Sequence, residues 1–361
     1  MLQLLVPKIE WEHASKILLP KVNPYLWKVN HAEFMRRALE IAQKGDGLTG
    51  SNPLVGCLMV HEGAIVSEGY HHEFGGPHAE VEAVRRLPHH LDARDITVYV
   101  TLEPCAHFGK TPPCAELLRD RGFKKVVVAT LDPNPLVAGK GVKILQEAGI
   151  HVEVGILQAE AQRLNRRFWV NQTEKRAYLI AKWAESANGW MGVNQGKSVP
   201  ISGSEAKSFV HQLRANNPAI MVGVQTWEND RPQLNTRLVE GPSPAIWVID
   251  PQFRGHYPEE KDLQIFTKKK VEDARAVVLE DFSPHAMLEE LWERKFTSVL
   301  LEGGKRTLEQ FWEARMVDEI AQIISPLALL VGADHVAAPT IDFTPSEVHY
   351  LGADTLKCWK R

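Results

Sequence analysis

Hydrophobic and polar positions along the first half of the chain alternate in a way that predicts strands and helices in turn. Residues 31–44 repeat apolar side chains at helical spacing, so they are expected to form an amphipathic helix with Phe34, Ala38, Leu39, Ile41 and Ala42 on its apolar face. Short apolar runs predict strands near residues 54–60, 64–69, 96–101, 124–130 and 150–155. Helices are expected near residues 78–87, 114–121 and 138–148. This alternation is typical of a three-layer α/β domain with a largely parallel sheet.

The second half of the chain predicts another domain of the same class. Residues 156–176 have the pattern of a connecting helix, and the apolar run 177–183 predicts a strand that opens a second α/β domain. With 361 residues the chain is long enough for two domains that each bury a core. We therefore expect domains over residues 30–155 and 177–361, and an N-terminal extension of unknown role over residues 1–29.

The overall charge argues against a nucleic-acid-binding regulator. The formal net charge is −3, whereas proteins that bind nucleic acid present basic stripes. The only dense basic run is Lys268-Lys269-Lys270, which is interpreted as a solvated surface. Hydrophobic residues make up 44% and charged residues 24% of the chain, as in an ordinary globular protein. Small molecules are therefore the expected partners.

Cysteine content and hydropathy favour a cytoplasmic location. The four cysteines imply no disulfide framework, and Cys57 lies in an apolar run where it is expected to be a small core residue. No segment approaches the roughly 20 apolar residues that cross a bilayer. Lys8, Glu10 and Glu12 interrupt any hydrophobic region of a signal peptide. We expect no membrane partner.

The residues with the clearest chemistry are His78, Glu80, Cys105 and Cys114. One imidazole and two thiols are the three-ligand set of a catalytic zinc, which leaves one position for water, whereas a structural zinc has four protein ligands. Glu80 would remain unligated and free to move protons. This combination is typical of zinc-dependent deaminases of amino-pyrimidines and purines, in which zinc lowers the pKa of its water to about 7.

The predicted elements place two of these ligands at helix N-termini. His78 opens one predicted helix and Cys114 opens another, where the positive potential favours the thiolate that zinc requires. The alternatives are a structural zinc clip, or two buried free cysteines beside a surface histidine. Neither alternative requires the pairing of His78 with Glu80.

Four sequence motifs give the chain a family resemblance. They are Ser51-Asn-Pro-Leu-Val-Gly56, Gly69-Tyr-His71, the run from Thr101 to Cys114, and Asp132-Pro-Asn-Pro-Leu-Val-Ala-Gly139. With them the chain resembles the RibD family of bifunctional riboflavin-biosynthesis deaminase–reductases from about residue 30 onward. The resemblance implies a cytidine-deaminase-like three-layer domain followed by a dihydrofolate-reductase-like domain, and it implies a homo-oligomer.

The resemblance also implies two consecutive reactions. The first is zinc-dependent hydrolytic deamination of 2,5-diamino-6-ribosylamino-4(3H)-pyrimidinone 5′-phosphate. The second is reduction of 5-amino-6-ribosylamino-uracil 5′-phosphate by NADPH. In the deaminase half it implies a substrate pocket lined by Asn52, His71 and Lys110. A cation at Lys110 would suit a phosphorylated ribosyl substrate.

In the reductase half the resemblance implies a substrate site and a cofactor site. Substrate would be held by Ser198, Arg214, Leu234, Arg237 and Glu302. The two arginines suit a sugar phosphate because a guanidinium can bind it through two hydrogen bonds. NADPH would contact Ala184, Thr226, Asp230 and a turn from Gly304 to Gln310 that includes Lys305, Arg306 and Thr307.

Three positions depart from the family pattern in this half. Asn188 stands where Asp is usual, Pro200 stands where Trp is usual, and Arg231 stands where an acidic or amide residue is commoner. Loss of a tryptophan that packs on the cofactor would remove about 1 to 3 kcal/mol of contact. We expect an active reductase with altered NADPH affinity.

Three other functions are compatible with parts of the sequence. The zinc chemistry alone would also serve a deaminase of cytidine, guanine or a tRNA adenosine, but the long loop from Cys105 to Cys114 and the large second domain count against it. The second domain could instead be a non-catalytic nucleotide-binding or dimerisation module beside an active deaminase. A nucleic-acid-binding regulator is the third.

Overall fold

The computed structural model describes residues 30–108, 112–134, 137–193, 200–259, 261–329 and 335–361. The extension 1–29 and the predicted site residues Lys110 and Ser198 lie outside these ranges. In the described part of the chain no helix has the length and apolar character needed to cross a bilayer.

The first domain is built on a five-stranded mixed sheet in the order β2-β1-β3-β4-β5. Its strands are β1 (Gly56–His61), β2 (Ala64–Tyr70), β3 (Ile96–Val100), β4 (Lys125–Val128) and β5 (His151–Val154). The expected largely parallel sheet has one exception: β1 runs antiparallel to both of its neighbours, β2 and β3, whereas β2, β3, β4 and β5 all run in one direction. The two-residue turn at Glu62 and Gly63 allows β2 to return directly beside β1, so no crossover helix is needed there.

Helices cover both faces of this sheet, because its strands are apolar on both sides. The helices are α1 (His31–Ala42), α2 (Ala79–Arg86), α3 (Cys114–Asp120) and α4 (Lys140–Glu147), with 3₁₀ turns at Gln43–Gly45 and Ala93–Asp95. Along β1, Cys57 and Met59 pack with α2, α3 and α4, whereas Leu58 and Val60 pack with α1. The predicted three-layer α/β/α arrangement is confirmed.

The segment between the domains forms two helices instead of one. α5 (Gln158–Leu164) ends at Asn165, and α6 (Arg166–Thr173) begins after it. The Asn165 side chain is 4% exposed and bonds both main-chain groups of Leu54, with N···O distances of 2.7 and 2.8 Å. α5 contributes Ala161 to the core of the first domain, and Val170 of α6 packs on the core of the second.

The second domain has a nine-stranded sheet in the order β11-β10-β9-β8-β12-β6-β13-β16-β15. Its strands are β6 (Tyr178–Glu185), β8 (Ala219–Gly223), β9 (Ala245–Ile249), β10 (Leu263–Thr267), β11 (Ala276–Val278), β12 (Ser298–Leu301), β13 (Glu319–Ile324), β15 (Glu347–Leu351) and β16 (Asp354–Lys360). Strands β7 (Trp190–Val193) and β14 (His335–Ala337) form a separate pair. The helices are α7 (Ser204–Ala215), α8 (Val224–Asp230), α9 (Pro284–Glu293) and α10 (Lys305–Glu313).

The seven strands from β11 to β13 in this order are mutually parallel. Their carboxyl ends therefore meet at one edge of the sheet, where open α/β sheets usually bind ligands. The loops that follow β8, β9, β10 and β12 all start at this edge. Helices α9 and α10 pack on one face of the sheet, and α8 and part of α7 pack on the other.

Candidate active sites of the two domains

His78, Cys105 and Cys114 meet beside the first sheet. His78 directly precedes α2, Cys114 is the first residue of α3, and Cys105 lies in the loop after β3. Nδ1 of His78 lies 3.5 Å from Sγ of Cys105 and 3.3 Å from Sγ of Cys114. The three ligand atoms all lie within 4.8 Å of one another. The elements thus bring together the three residues that the sequence predicts as metal ligands.

Close packing of α2 on β2 determines where His78 lies. A Cβ atom on Gly69 of β2 would overlap the carbonyl oxygen of Ala79 and the amide nitrogen of Ala83. Only glycine therefore lets the first turn of α2 lie this close to the strand. Ser67 also joins the two elements, since its hydroxyl donates to the carbonyl of Ala83 at 2.6 Å.

The local electrostatics suit a soft divalent cation. A hydrogen bond with the Cys114 thiol, followed by contact with His78, lowers the pKa of Cys105 to about 4. The peptide N–H of Cys114 also donates to Sγ of Cys105 at 3.2 Å. A cation among these atoms would favour thiolates at both cysteines. Two thiolates and an imidazole are a donor set that fits zinc better than magnesium or calcium.

Glu80 lies in the first turn of α2 but is not part of the three-residue cluster. Its side chain is 3% exposed, and burial raises its pKa to about 7. A carboxyl group that titrates near neutral pH can both accept and donate a proton during a reaction. This is the property that the sequence analysis expects of the residue.

Asn52 and His71 lie beside the cluster. Nδ1 of His71 lies 2.9 Å from the carbonyl oxygen of Pro77, which can only accept a hydrogen bond, so Nδ1 carries the proton in the neutral ring. Nε2 of His71 then accepts from Nδ2 of Asn52 at 3.0 Å. The rings of His71 and His78 meet edge to face, with 5.9 Å between centroids. Two of the three predicted substrate-pocket residues are therefore next to the candidate metal centre.

Glu103 is a residue of this site to which the sequence analysis gave no role. Its buried carboxylate accepts four main-chain N–H bonds, from Asp132, Gly139, Gly141 and Val142, at 2.9 to 3.1 Å. The first turn of α4 and both ends of the 132–139 loop are thus attached to the segment that carries Cys105. A charged residue inside the apolar motif Leu102-Glu103-Pro104 is the signal that could have identified it.

The second domain has a cleft of about 840 Å³ along the carboxyl edge of its sheet. Ten of the predicted reductase residues line it: Ala184, Arg214, Thr226, Asp230, Arg237, Glu302, Gly304, Lys305, Arg306 and Thr307. Leu234 does not line the cleft, because its side chain is 3% exposed and packs in the core with Trp227. Its role as a substrate contact stays a prediction. The roles assigned to the ten residues that line the cleft also stay predictions.

Arg214 and Glu302 form a bidentate ion pair at the buried end of this cleft. Nε and Nη2 of Arg214 donate to the two carboxylate oxygens of Glu302 at 2.8 and 3.0 Å, and Nζ of Lys182 lies 3.5 Å from Oε2. Burial alone would raise the pKa of Glu302, but Lys182 and Arg214 together lower it. Nε and Nη2 of Arg214 are therefore not available to bind a phosphate as long as they are bonded to Glu302.

Two further cleft residues, Lys207 and His211, are missing from the predicted site. They precede Arg214 on α7 by seven and three residues, so all three share one helical face, and that spacing could have identified them. Nδ1 of the buried His211 accepts from the peptide N–H of Arg237 at 3.0 Å. Burial, and then Arg214 and Arg237, lower the pKa of His211. A neutral imidazole thus positions the Arg237 loop.

The turns after β8 and β12 lie close to each other. Each has a glycine at the point of approach, so no side chain covers the main chain there. A Cβ atom on Gly223 would lie 2.6 Å from Oγ1 of Thr307, and one on Gly304 would lie 3.1 Å from Oγ1 of Thr226. Gly304 directly precedes α10, and the first turn of this helix, where peptide N–H groups lack helical partners, lines the cleft. A helix N-terminus with glycine before it suits a diphosphate group. The residues present therefore fit a dinucleotide.

The three positions that depart from the family pattern differ in their surroundings. The Asn188 amide donates to the carbonyl of Leu329 at 2.8 Å and accepts from its N–H at 3.0 Å, which a carboxylate could not do. Pro200 lines the cleft, and Arg231 is an exposed residue with φ of 42° at the end of α8. The interpretation of the whole lysine run as a solvated surface was incomplete, because Lys268 lines the cleft.

Comparison with known proteins identifies both halves of the chain. Residues 28–130 match the family model of the cytidine and deoxycytidylate deaminase zinc-binding region, and residues 177–347 match that of the RibD C-terminal domain. The riboflavin biosynthesis protein RibD of Aquifex aeolicus is 39% identical over 308 residues, which cover 81% of this chain and 86% of the relative.

Two solved structures are similar in fold to this chain over more than nine tenths of its length. The structure of Acinetobacter baumannii RibD, form 1, is 33% identical with a TM-score of 0.79, over 92% of this chain and 99% of that one. A diaminohydroxyphosphoribosylaminopyrimidine deaminase/5-amino-6-(5-phosphoribosylamino)uracil reductase from Thermotoga maritima has 33% identity and a TM-score of 0.77, over 91% and 98% of the two chains.

These matches decide between the functions that the sequence left open. The chain has a zinc-binding deaminase domain and a reductase domain, so a non-catalytic second domain is not supported. The predicted cytidine-deaminase-like and reductase folds are both confirmed. The chain belongs to the RibD family of bifunctional deaminase–reductases.

Proposed function

We propose that the two sites act in sequence on one ribosylaminopyrimidine phosphate. The domain over residues 30–155 would deaminate 2,5-diamino-6-ribosylamino-4(3H)-pyrimidinone 5′-phosphate. The domain over residues 177–361 would reduce 5-amino-6-ribosylamino-uracil 5′-phosphate with NADPH. The observation that carries this proposal is the presence, in one chain, of a thiolate–imidazole cluster with a buried carboxyl beside it and a cationic cleft.

In the deaminase site, His78, Cys105 and Cys114 would hold the zinc. Zinc supplies a Lewis acid that makes water acidic near neutral pH. Glu80 takes a proton from the attacking water and delivers it to the ring nitrogen next to the amine-bearing carbon. It then takes the second proton from the hydroxyl group now on that carbon and passes it to the amine, which leaves as ammonia while the carbonyl forms. Asn52 and His71, beside the cluster, are proposed to bind polar edges of the base, and Lys110 is proposed to bind the ribosyl phosphate.

In the reductase site, the charge balance supports two phosphorylated ligands. Among the described residues that line the cleft, eight side chains are lysine or arginine and two are acidic. NADPH supplies the hydride that reduces C1′ of the ribosyl group, and one proton is added as the bond from C1′ to the ring oxygen breaks. Arg237 is free to bind the substrate phosphate, since its guanidinium bonds only the Asn235 side chain among described residues. Ser198 is proposed as a further substrate contact, whereas Leu234, whose side chain is buried in the core, could contact substrate only through its main chain.

The pairing of Arg214 with Glu302 changes the role expected of both residues. Together with Lys182 they form a buried polar wall at the end of the cleft. We propose that this wall contacts the sugar hydroxyl groups, which can both donate to Glu302 and accept from the cations. Ala184, Thr226, Asp230 and the turn from Gly304 through Lys305, Arg306 and Thr307 are proposed to bind NADPH.

A direct test supplies the diaminopyrimidine ribotide to the pure enzyme, with and without NADPH, and identifies the products by mass. We expect replacement of one amino group by oxygen without NADPH. With NADPH we expect that change together with the addition of two hydrogens. Release of ammonia from cytidine or guanine, and none from the ribotide, would contradict the proposal.

Two properties of the whole protein remain proposals. All four cysteines are free thiols, which suits a reducing cytoplasm. A homo-oligomer is proposed from the family resemblance alone. Sedimentation velocity at micromolar concentration would test it, and a single species of monomer mass would contradict it.

A further inference from the structure

The turn after β9 is a rigid structure that presents one charged side chain to the cleft. Asp250 is fully buried, and its Oδ2 accepts from the peptide N–H groups of Arg254 and Gly255 and from the hydroxyl of Tyr257, at 2.6 to 2.8 Å. Its Oδ1 accepts from the N–H of Gln252 at 3.3 Å. The carboxylate thus organises the whole turn, while the exposed Arg254 side chain lines the cleft.

Lys268 joins this turn from the neighbouring strand. It directly follows β10, and its peptide N–H donates to the carbonyl of Pro251 at 3.2 Å. Its Nζ lies over the Phe282 ring, 5.6 Å from the centroid, and both residues line the cleft. None of the ion pairs among the described residues includes Arg254 or Lys268. Two cations that no described carboxylate neutralises therefore share one part of the cleft wall.

The position of this pair relative to the dinucleotide cradle indicates its ligand. Along the sheet edge, β12 and β8 carry the glycine turns, and β9 and β10 follow on the side away from Glu302. Neighbouring strands are about 4.8 Å apart, so the pair lies about 5 to 10 Å beyond a diphosphate at the turns. One ribose of a dinucleotide spans such a distance. With the reacting end of the cofactor near Glu302, the part that reaches Arg254 and Lys268 is the adenosine half.

We propose that Arg254 and Lys268 form an anion subsite for the 2′-phosphate on the adenosine ribose, and that they determine the preference for NADPH over NADH. This inference rests on the proposed reductase function. The 2′-phosphate is the only group that distinguishes the two cofactors, and it carries close to two negative charges. A guanidinium and an ammonium match it in charge, and hydrogen bonds between ionised groups are the stronger kind.

The test measures binding, not turnover. The dissociation constants of NADPH, NADH, adenosine 2′,5′-bisphosphate and adenosine 5′-monophosphate are determined by titration calorimetry for the unaltered enzyme, Arg254→Gln and Lys268→Gln. Lys270→Gln is the matched control, because it removes the same charge from the same exposed run outside the cleft lining. Both altered side chains are exposed, and thermal unfolding checks that the variants fold.

We expect each cleft variant to bind NADPH and the 2′,5′-bisphosphate about 10- to 100-fold more weakly. NADH and the 5′-monophosphate should bind within about twofold of the unaltered enzyme, and Lys270→Gln should change nothing. Equal weakening of phosphorylated and unphosphorylated ligands, or no weakening at all, would overturn the inference and leave the proposed function standing. If the unaltered enzyme binds neither dinucleotide, the proposed function itself is wrong, and the inference is overturned with it.

Discussion

The guanidinium of Arg214 and the carboxylate of Glu302 face each other in the buried part of the reductase cleft, joined by hydrogen bonds of 2.8 and 3.0 Å. One residue comes from α7 and the other follows β12, and 88 positions separate them in sequence. The pair therefore links a helix that covers the sheet to the carboxyl end of a central strand. The shape of the cleft depends on this link.

Removal of the arginine should affect stability and reduction together. In Arg214→Ala the Glu302 carboxylate would remain buried with Lys182 alone, so we expect a loss of about 3 to 5 kcal/mol in unfolding free energy. NADPH oxidation should fall below detection while deamination persists. Urea unfolding and the two separate assays measure this. Arg294→Ala, which breaks an exposed pair with Glu290, is the control and should cost less than about 1 kcal/mol. Wild-type stability of Arg214→Ala would contradict the prediction.

Glu80→Gln should separate metal binding from deamination. The amide keeps the size of the side chain but cannot move a proton, so we expect full zinc content and deamination slower by about 100- to 10,000-fold. Reduction of the deaminated intermediate should be unchanged. Metal analysis of fresh protein and an ammonia assay measure the two properties. Loss of zinc in this variant would show that Glu80 is a ligand, contrary to the proposed role.

Glu103→Gln should loosen the loop behind the candidate metal centre. A glutamine offers one acceptor oxygen in place of two, and its amide group would face peptide N–H donors. We expect a loss of about 1 to 3 kcal/mol in unfolding free energy and slower deamination, without a change in reduction. Glu147→Gln, an exposed position at the end of the same helix α4, is the control. Equal behaviour of the two variants would refute the structural role of Glu103.

Asp318→Asn should destabilise the second domain without touching its cleft. Asp318 is 1% exposed and binds the fully buried Arg176 through two bonds of 2.7 Å. Loss of its charge leaves the buried guanidinium with a single carboxylate partner, the more exposed Glu174 at 2.8 Å, so we expect a loss of up to about 3 to 5 kcal/mol in unfolding free energy. Asp120→Asn, in an exposed pair with Arg119, is the control and should leave stability nearly unchanged. Differential scanning calorimetry compares them. A Tm for Asp318→Asn equal to that of Asp120→Asn would refute the prediction.

Much of the first domain follows from local patterns. Helix α1 begins at the predicted His31, and the five predicted strands occur with ends shifted by at most a few residues. The reversed direction of β1 was not predicted, because an apolar run does not reveal which neighbour a strand will pair with. The connecting segment was predicted as one helix, since helical periodicity continues through Asn165 while a bond to the distant Leu54 interrupts it.

The metal ligands could be predicted for a different reason. Their chemistry resides in residue type and in short spacings: Glu80 comes two residues after His78, and Cys114 comes nine residues after Cys105. Cysteine and histidine are zinc ligands by residue type, in any fold that brings their side chains together. The residue types and their spacing alone therefore predict a zinc site with a proton-transferring carboxylate.

The sequence by itself thus determined the alternation of elements, the candidate ligand set of the first site and the family. Only the tertiary structure decided the partners of charged side chains that lie far apart in the chain. In the folded chain Arg214 pairs with Glu302, and Glu103 bonds the first turn of α4. Lys268, which the sequence places in an ordinary surface run of lysines, lines the reductase cleft. The reason is physical: the energy of a charge depends on its burial and on its nearest partner, and both are set by strand order, which short patterns do not encode.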